Sequence, residues 1–162
     1  MAQTTSILRA PRLCLPSALV LVGLVAAPAL MAQTPPAASF AICAACHGPD
    51  GKGIGAGTPT PMAPGLAGSK LATHGDGEVM ASIVFTGIAK EDAKYLGMMA
   101  PLGAMMNDAQ MAELLTYIRA NFGNTAPAVT ADQVKVWREK YNGKTMQKRA
   151  DLEKAIAAPA KP

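Results

Sequence analysis

The sequence predicts an all-α fold, because its clearest patterns are helical. Between Asn107 and Gly123, apolar residues recur at i, i+3, i+4, i+7 and i+11, which is the spacing of one helix face. These residues are Met111, Leu114, Leu115, Ile118 and Phe122. Asn107 with Gln110, and later Thr130 with Gln133, have the spacing of an N-terminal capping box. Aromatic residues make up only 4% of the chain, so we do not expect a large aromatic core.

The first 32 residues have the features of a secretory signal peptide. Arg9 and Arg12 form a short basic segment, residues 18–30 are almost uninterruptedly apolar, and small residues follow up to Ala32. A membrane anchor is the alternative, but the apolar run is short and alanine-rich, and no stop-transfer pattern follows. We therefore expect cleavage after Ala32, which also removes Cys14, and a mature protein that is periplasmic or otherwise exported.

The first helix of the mature chain carries a cysteine and histidine motif. A Pro-Ala linker at residues 33–38 leads into a helix predicted from Ser39 to His47, with Cys43, Cys46 and His47 in the order Cys-x-x-Cys-His. This spacing is typical of the attachment of a c-type haem. Two thiols one helical turn apart can each bond to a vinyl group of one porphyrin. The imidazole that follows then lies under the iron as a ligand.

Three other kinds of site can contain two nearby cysteines. A thioredoxin-like dithiol normally lies in a βαβ unit, a zinc site needs four ligands, and a structural disulfide has no use for the adjacent histidine. After loss of the leader, the mature chain has no cysteine besides this pair. Haem is attached outside the cytoplasm, and the predicted leader agrees with that. The sequence therefore favours one covalent haem c, whose flat apolar body would also supply missing core volume.

The segment after the motif is rich in glycine and proline. Five glycines lie between Gly48 and Gly57, and no phosphate-binding Gly-Lys-Ser or Gly-Lys-Thr sequence follows them. We expect this backbone to lie against the flat ring, where a Cβ atom has no room. Residues 70–77 are predicted to be a loop, with His74 an ordinary loop histidine and not a second axial ligand. A helix is predicted over residues 78–86.

Two adjacent methionines lie in an apolar loop before the clearest helix. The loop spans residues 95–103 and contains Met98 and Met99. Methionines of a protein core usually recur at helical spacing, so a pair in a loop is unusual. The helix that follows is predicted to begin after its cap at Asn107 and to end at Gly123.

Residues 125–162 are predicted to form a helical extension of the domain. Its first helix, residues 130–141, places Val134, Trp137 and Tyr141 on one face. We expect this face to pack back on the domain, because a tryptophan is costly to leave in water. The extension as a whole is expected to lie outside the haem site.

The extension differs from the domain in its charge. It carries eight basic and four acidic residues, whereas residues 33–124 carry five basic and seven acidic ones. The basic side could dock an acidic surface of a redox protein partner, and a merely solvated surface is the alternative.

The extension lacks the aromatic residues that alternate with basic ones in nucleic-acid binding, so we expect no nucleic acid. Membrane contact is expected to be peripheral at most. Residues 144–157 have only weak helical amphipathicity.

Several of these segments resemble those of class I c-type cytochromes, in particular bacterial mono-haem cytochrome c domains. The resemblance covers roughly residues 36–124, and we place the domain at residues 39–124. The segments that carry it are Phe40, Cys43–Gly48, Pro64–Gly68, Gly97–Pro101, Leu115–Arg119 and Phe122–Asn124. Ala63 stands where relatives have a glycine before the proline. The resemblance implies a few helices wrapped around one covalently bound haem.

The resemblance also implies roles for individual residues. The cofactor-binding residues are Cys43, Cys46, His47, Pro64, Leu66 and Met99. His47 and Met99 are the implied axial ligands of the iron. Met98 is the alternative to Met99, because Ala100 separates Met99 from the proline that directly follows the ligand in most relatives. The carbonyl of Pro64 is expected to accept a hydrogen bond from the His47 imidazole and so to orient the ring.

The sequence leaves three functions to compare. The favoured one is single-electron transfer between redox partners by an exported mono-haem cytochrome, either free or as a subunit of a dehydrogenase or oxidase complex. With both axial positions of the iron filled and no catalytic base pair, such a protein is not expected to be an enzyme. The second is a haem module whose methionine ligand is displaced by a small molecule in sensing or catalysis. The third is a thiol protein without haem.

Overall fold

The computed structural model describes residues 38–90 and 94–158 of the chain. The predicted leader, residues 1–32, and nearly all of the linker lie outside the described residues. All regular structure within the described residues is helical, which confirms the predicted all-α fold class. None of the helices in this part of the chain is long and apolar enough to cross a bilayer. The α-helices are α1 Phe40–His47, α2 Lys70–Thr73, α3 Glu78–Thr86, α4 Asp108–Ala120, α5 Ala131–Tyr141 and α6 Arg149–Ala157, and a short 3₁₀ helix spans Gly103–Met105.

Three aromatic rings hold α1 against α4. The ring centroid of Phe40 lies 5.1 Å from that of Tyr117 and 5.2 Å from that of Phe122, and the last two lie 5.6 Å apart. These are the separations of favourable tilted and edge-to-face aromatic pairs. The three rings therefore fix the helix that carries the cysteines relative to the longest helix of the domain.

The end of α4 differs from the prediction, because the helix stops before Gly123. Two asparagine side chains explain the earlier end. Asn121 Nδ2 donates to the carbonyl of Tyr117 at 2.8 Å, and Asn124 Nδ2 donates to the carbonyl of Ile118 at 2.9 Å. Carbonyls in the last turn of a helix lack intrahelical partners, and these amides supply them. The helix therefore ends at Ala120, inside the span that the sequence predicts for it.

Residues 70–77, predicted to be a loop, contain the short helix α2. The Ser69 hydroxyl caps it by accepting a hydrogen bond from the backbone N–H of Ala72 at 3.3 Å. A helix of four residues is too short to show a periodic pattern in sequence, which explains why it was not predicted. His74 follows α2 and is exposed, as a loop histidine is expected to be.

Arg119 is a fully buried arginine on α4 that connects distant segments. Its guanidinium donates to the carbonyls of Pro127 at 2.9 Å, Ala72 at 2.9 Å, His74 at 3.3 Å and Gly75 at 2.7 Å. A buried charged group loses its hydration, and several hydrogen bonds are needed to offset that loss. The arginine therefore joins the end of α2 to the segment that leads out of the domain.

The first helix of the extension packs on the domain, as predicted. Val134 and Trp137 on α5 are buried in the same apolar core as α3 and α4, and Tyr141 packs against that core while partly exposed. On the adjacent side of α5, Arg138 Nε forms an ion pair of 2.6 Å with Asp108 Oδ1 at the start of α4. The position of Asp108 in the first turn of α4 also suits its negative charge. The predicted face of α5 is thus confirmed.

Candidate functional site

An apolar cavity of about 320 Å³ lies beside α1. Its volume is within the range of small-molecule and cofactor sites. Each residue that the sequence assigns to cofactor binding lines this cavity, and the alternative ligand Met98 does so as well. The residues concerned are Cys43, Cys46, His47, Pro64, Leu66, Met98 and Met99. The structure therefore brings the predicted site residues together on the walls of one cavity, while their contacts to a cofactor remain predictions.

The two cysteines on α1 are both free thiols in the structure. Cys43 is buried and Cys46 is exposed. Burial raises the pKa of the Cys43 thiol to about 11, and the neighbouring Cys46 adds to this effect. A reactive dithiol of the thioredoxin kind depends on a thiol whose pKa is lowered, so that the thiolate exists near neutral pH. The environment of Cys43 therefore does not favour dithiol redox chemistry.

The imidazole of His47 is oriented by the loop below it. His47 Nδ1 donates a hydrogen bond to the carbonyl of Pro64 over 2.9 Å, and the predicted hydrogen bond is thus confirmed. The carbonyl is itself held in place, because the backbone N–H groups of Leu66 and Ala67 donate to the carbonyl of Gly51 at 2.6 and 3.1 Å. An imidazole anchored through Nδ1 presents Nε2 to a metal in a fixed direction.

The electrostatic surroundings keep His47 in the form that binds metals. Burial lowers the pKa of His47, the hydrogen bond to Pro64 acts in the opposite direction, and the positive charge of Arg149 lowers the pKa further. A lowered pKa means that the ring stays neutral to lower pH. Only the neutral imidazole has a free lone pair for a metal ion.

The glycines of the loop after the motif do not line the cavity, which corrects the expectation from the sequence. None of the five glycines between Gly48 and Gly57 lines the cavity wall. At two of these positions a side chain has no room because other protein atoms are too close. A Cβ atom on Gly51 would lie 2.6 Å from the ring of Phe122, and one on Gly53 would lie 2.5 Å from the carbonyl oxygen of Ala63. The close approach is to protein atoms, and it brings the Pro64 segment under His47.

The structure distinguishes the two methionines of the loop. The Met98 side chain is 56% exposed, whereas that of Met99 is partly buried and packs against the core. The backbone of Met99 is also fixed, because its N–H donates to the carbonyl of Ile88 at 3.0 Å and its carbonyl accepts from the N–H of Ile88 at 2.9 Å. Burial and backbone support both favour Met99 as the residue that acts inside the cavity.

The donor groups of the cavity fit a c-type haem better than a zinc ion. Within residues 38–90 and 94–158, no three His, Cys, Asp or Glu side chains form a cluster able to hold a metal ion. A haem needs a different set, namely two thiols for its vinyl groups, an imidazole and a soft sixth ligand. The cavity has these in Cys43, Cys46, His47 and Met99, and its remaining walls are mostly apolar.

Beyond the predicted site residues, the cavity wall includes others that the sequence did not assign to it, and two of these form a cation–aromatic pair. Arg149 at the start of α6 lines the cavity, and so does Tyr95, whose ring centroid lies 5.2 Å from the Arg149 guanidinium carbon. This corrects the prediction that residues 125–162 lie outside the site. Arg149 belongs to a segment with only weak amphipathicity, and nothing in its sequence pattern indicates a long-range contact.

Comparison with known proteins agrees with this geometry. A family model described as Cytochrome c matches residues 37–121, which is just over half of the chain. The matched region begins before α1, includes the predicted haem-binding residues and ends directly after α4. No curated protein matches the chain. Proteins of the matched family carry a covalently bound haem and transfer electrons with it. This chain belongs to the cytochrome c family.

Proposed function

We propose that the protein is an exported mono-haem cytochrome that carries single electrons. Haem c would be bound through Cys43 and Cys46, with His47 and Met99 as the axial ligands. The observation that carries this proposal is the presence of two thiols, an oriented imidazole and a partly buried thioether on the walls of one apolar cavity. When bound, the haem supplies one-electron chemistry.

The protein residues position and shield the site. Pro64 holds the His47 ring by the 2.9 Å hydrogen bond, which fixes its direction and makes it a stronger donor to a metal. Apolar side chains such as Leu66, Val84 and Ile118 line the cavity and limit the access of water. Iron ligation by a thioether as well as an imidazole, together with dry surroundings, would favour a high reduction potential.

The backbone contacts of Met99 favour an electron carrier over a small-ligand sensor. In a sensor, a methionine ligand that a small molecule displaces must lie on a segment of the chain that moves away easily. The Met99 N–H and carbonyl are both bonded to Ile88, and the side chain packs against the core. These contacts support a methionine that is retained during the redox cycle.

Exchanging each methionine separately tests the ligand assignment. Met99→Ala is expected to abolish the sulfur-to-iron charge-transfer band and to lower the reduction potential by on the order of 0.1 V, since axial ligands set haem potentials over about 0.8 V. Met98→Ala is the matched control, because Met98 is the exposed neighbour, and it should leave both properties nearly unchanged. Optical spectra and potentiometric titration of the purified proteins measure both. The reverse result would assign the ligand to Met98.

We further propose that the basic residues of the extension dock an acidic redox partner outside the cytoplasm. Support comes from the distribution of charge, since the exposed lysines of this region include Lys135, Lys144 and Lys154. Lys135 is on α5 and Lys154 on α6, so these two charges lie on helices, and Lys144 lies in the segment between them. Fixed positive charges accelerate encounters with negatively charged partners.

Charge variants test this docking surface with a defined probe. Replacing Lys135, Lys144 and Lys154 with glutamine is expected to slow oxidation of the reduced protein by anionic hexacyanoferrate(III) roughly twofold to tenfold at low salt. The dependence of the rate on ionic strength should flatten as well. Replacing Asp132 and Glu139 on α5 with their amides should have the opposite effect. Stopped-flow rates that are the same for all three proteins would contradict the proposal.

A further inference from the structure

The segment Met146–Arg149, which we call the strap, is bound tightly to the end of α3. The N–H of Gln147 donates to the carbonyl of Gly87 at 3.2 Å, and the N–H of Ala89 donates to the carbonyl of Gln147 at 2.9 Å. The Gln147 side chain adds two bonds, as its Nε2 donates to Ser82 Oγ at 3.1 Å and to Thr86 Oγ1 at 2.9 Å. Both hydroxyls are buried, so these bonds are shielded from water.

Ile88 lies between the strap and the loop that carries the proposed ligand. On one side Ile88 pairs with Gln147, and on the other it pairs with Met99. The two bonds to Met99, of 2.9 and 3.0 Å, continue the hydrogen-bonded array that begins at the strap. Met99 is therefore supported by α3 and, through Ile88, by a residue nearly fifty positions further along the chain.

The strap also brings a charge to the cavity. Among the described residues that line the cavity, Arg149 alone has a permanently charged side chain. It is held by an ion pair of 3.0 Å with Glu153 and by stacking on Tyr95, so its position is defined. A fixed positive charge beside a poorly solvated redox centre favours the state with one more electron.

We propose that the strap is part of the redox site, with Gln147 and Arg149 as positioning residues. Gln147 holds Met99 in the cavity through Ile88, and Arg149 raises the reduction potential. The inference rests on the proposed ligation by His47 and Met99. It goes beyond the cytochrome c domain itself, because the region matched by the family model ends at residue 121, well before the strap.

The role of Gln147 can be tested in the full-length haem protein with Gln147→Met. Methionine has nearly the same length but cannot donate the two hydrogen bonds. Added imidazole competes with the thioether for the ferric iron. It should bind about tenfold more tightly to this variant, the effect expected if most of the free energy of the two lost hydrogen bonds reaches Met99. Lys148→Met, at the exposed neighbour within the strap, is the control and should bind imidazole as the wild type does.

The role of Arg149 can be tested through the reduction potential. Arg149→Gln should lower the potential several times more than Lys154→Gln, which removes an exposed charge from the same helix. Arg149→Lys keeps the charge and should restore most of the potential. Circular dichroism is measured for each variant. A spectrum that matches that of the wild type shows that a change in potential does not come from unfolding.

The outcomes separate this inference from the proposed function. A wild-type protein with the sulfur-to-iron band, but with no change in imidazole affinity for Gln147→Met or in potential for Arg149→Gln, would overturn the role of the strap alone. A wild-type protein without that band would overturn the Met99 assignment, and the strap proposal with it. Tighter imidazole binding to Gln147→Met, together with the ordered potentials of the Arg149 variants, would support the strap as part of the site.

Discussion

Replacing both Cys43 and Cys46 with alanine is expected to abolish covalent haem attachment completely. Both thiols lie on the wall of the cavity, and both are free, so each is available for a thioether bond. The chain has one other cysteine, Cys14, which lies in the predicted leader. Mass spectrometry after acid–organic extraction should show the wild-type chain plus one haem and the variant chain alone.

Cys14→Ala is a matched control for this experiment. Cys14 lies in the predicted leader, so its loss should leave the mass and the haem content of the mature protein unchanged. Wild-type protein that releases its haem on extraction would show that the attachment is not covalent. A double variant that still retains haem after extraction would show that the two thiols are not the attachment points.

Trp137→Ala is expected to destabilise the protein by about 3–5 kcal/mol, the usual cost of removing a large buried aromatic side chain. Trp137 on α5 is only 5% exposed and belongs to the core shared with α3 and α4. For a domain of this size, such a loss lowers the melting temperature by roughly 10–20 °C. Thermal unfolding followed by circular dichroism measures this shift.

Val136 is a suitable control, because it precedes Trp137 on the same helix but is 62% exposed. Val136→Ala should change the stability by less than about 0.5 kcal/mol. Equal melting temperatures for the Trp137→Ala variant and the wild type would mean that the extension does not contribute to the core. In that case α5 would be an appendage with no structural role.

The burial of α5 also affects how the function of the extension can be studied. The predicted boundary after residue 124 separates the domain from the extension, but Val129, Val134 and Trp137 all lie beyond it and are buried in the core. Removing residues 125–162 is therefore expected to destabilise the haem domain and not simply to remove a docking surface. Substitution of exposed lysines changes the charge and leaves these contacts in place.

The helices that the sequence predicts well are those with local signals. Asn107 and Thr130 form capping boxes in the structure as their spacing predicts, because the interacting groups are only three residues apart. The predicted end of α4 was wrong, because the true end depends on the side chains of Asn121 and Asn124, which fold back on the helix. Side-chain contacts of this kind leave no periodic signal in a single sequence.

The site shows the same difference between local and distant contacts. The spacing of Cys43, Cys46 and His47 is local, and one helical turn is enough to place all three on the cavity wall. The position of Arg149 depends instead on how the extension returns to α3. Residues that are brought together only by the return of a distant segment cannot be predicted from spacing, however strong the motif is.

The buried guanidinium of Arg119 determines how rigid a surface a partner would meet. Its bonds to the carbonyls of Ala72 and Pro127, both 2.9 Å long, tie the beginning of the extension to the interior of the domain. The beginning of the extension is consequently fixed to the domain before any encounter. A flexible arm would lose conformational entropy when it docks, whereas a preformed surface loses little. Under the docking proposal, binding through this surface would therefore be brief and still specific, as a carrier that releases its partner after each electron requires.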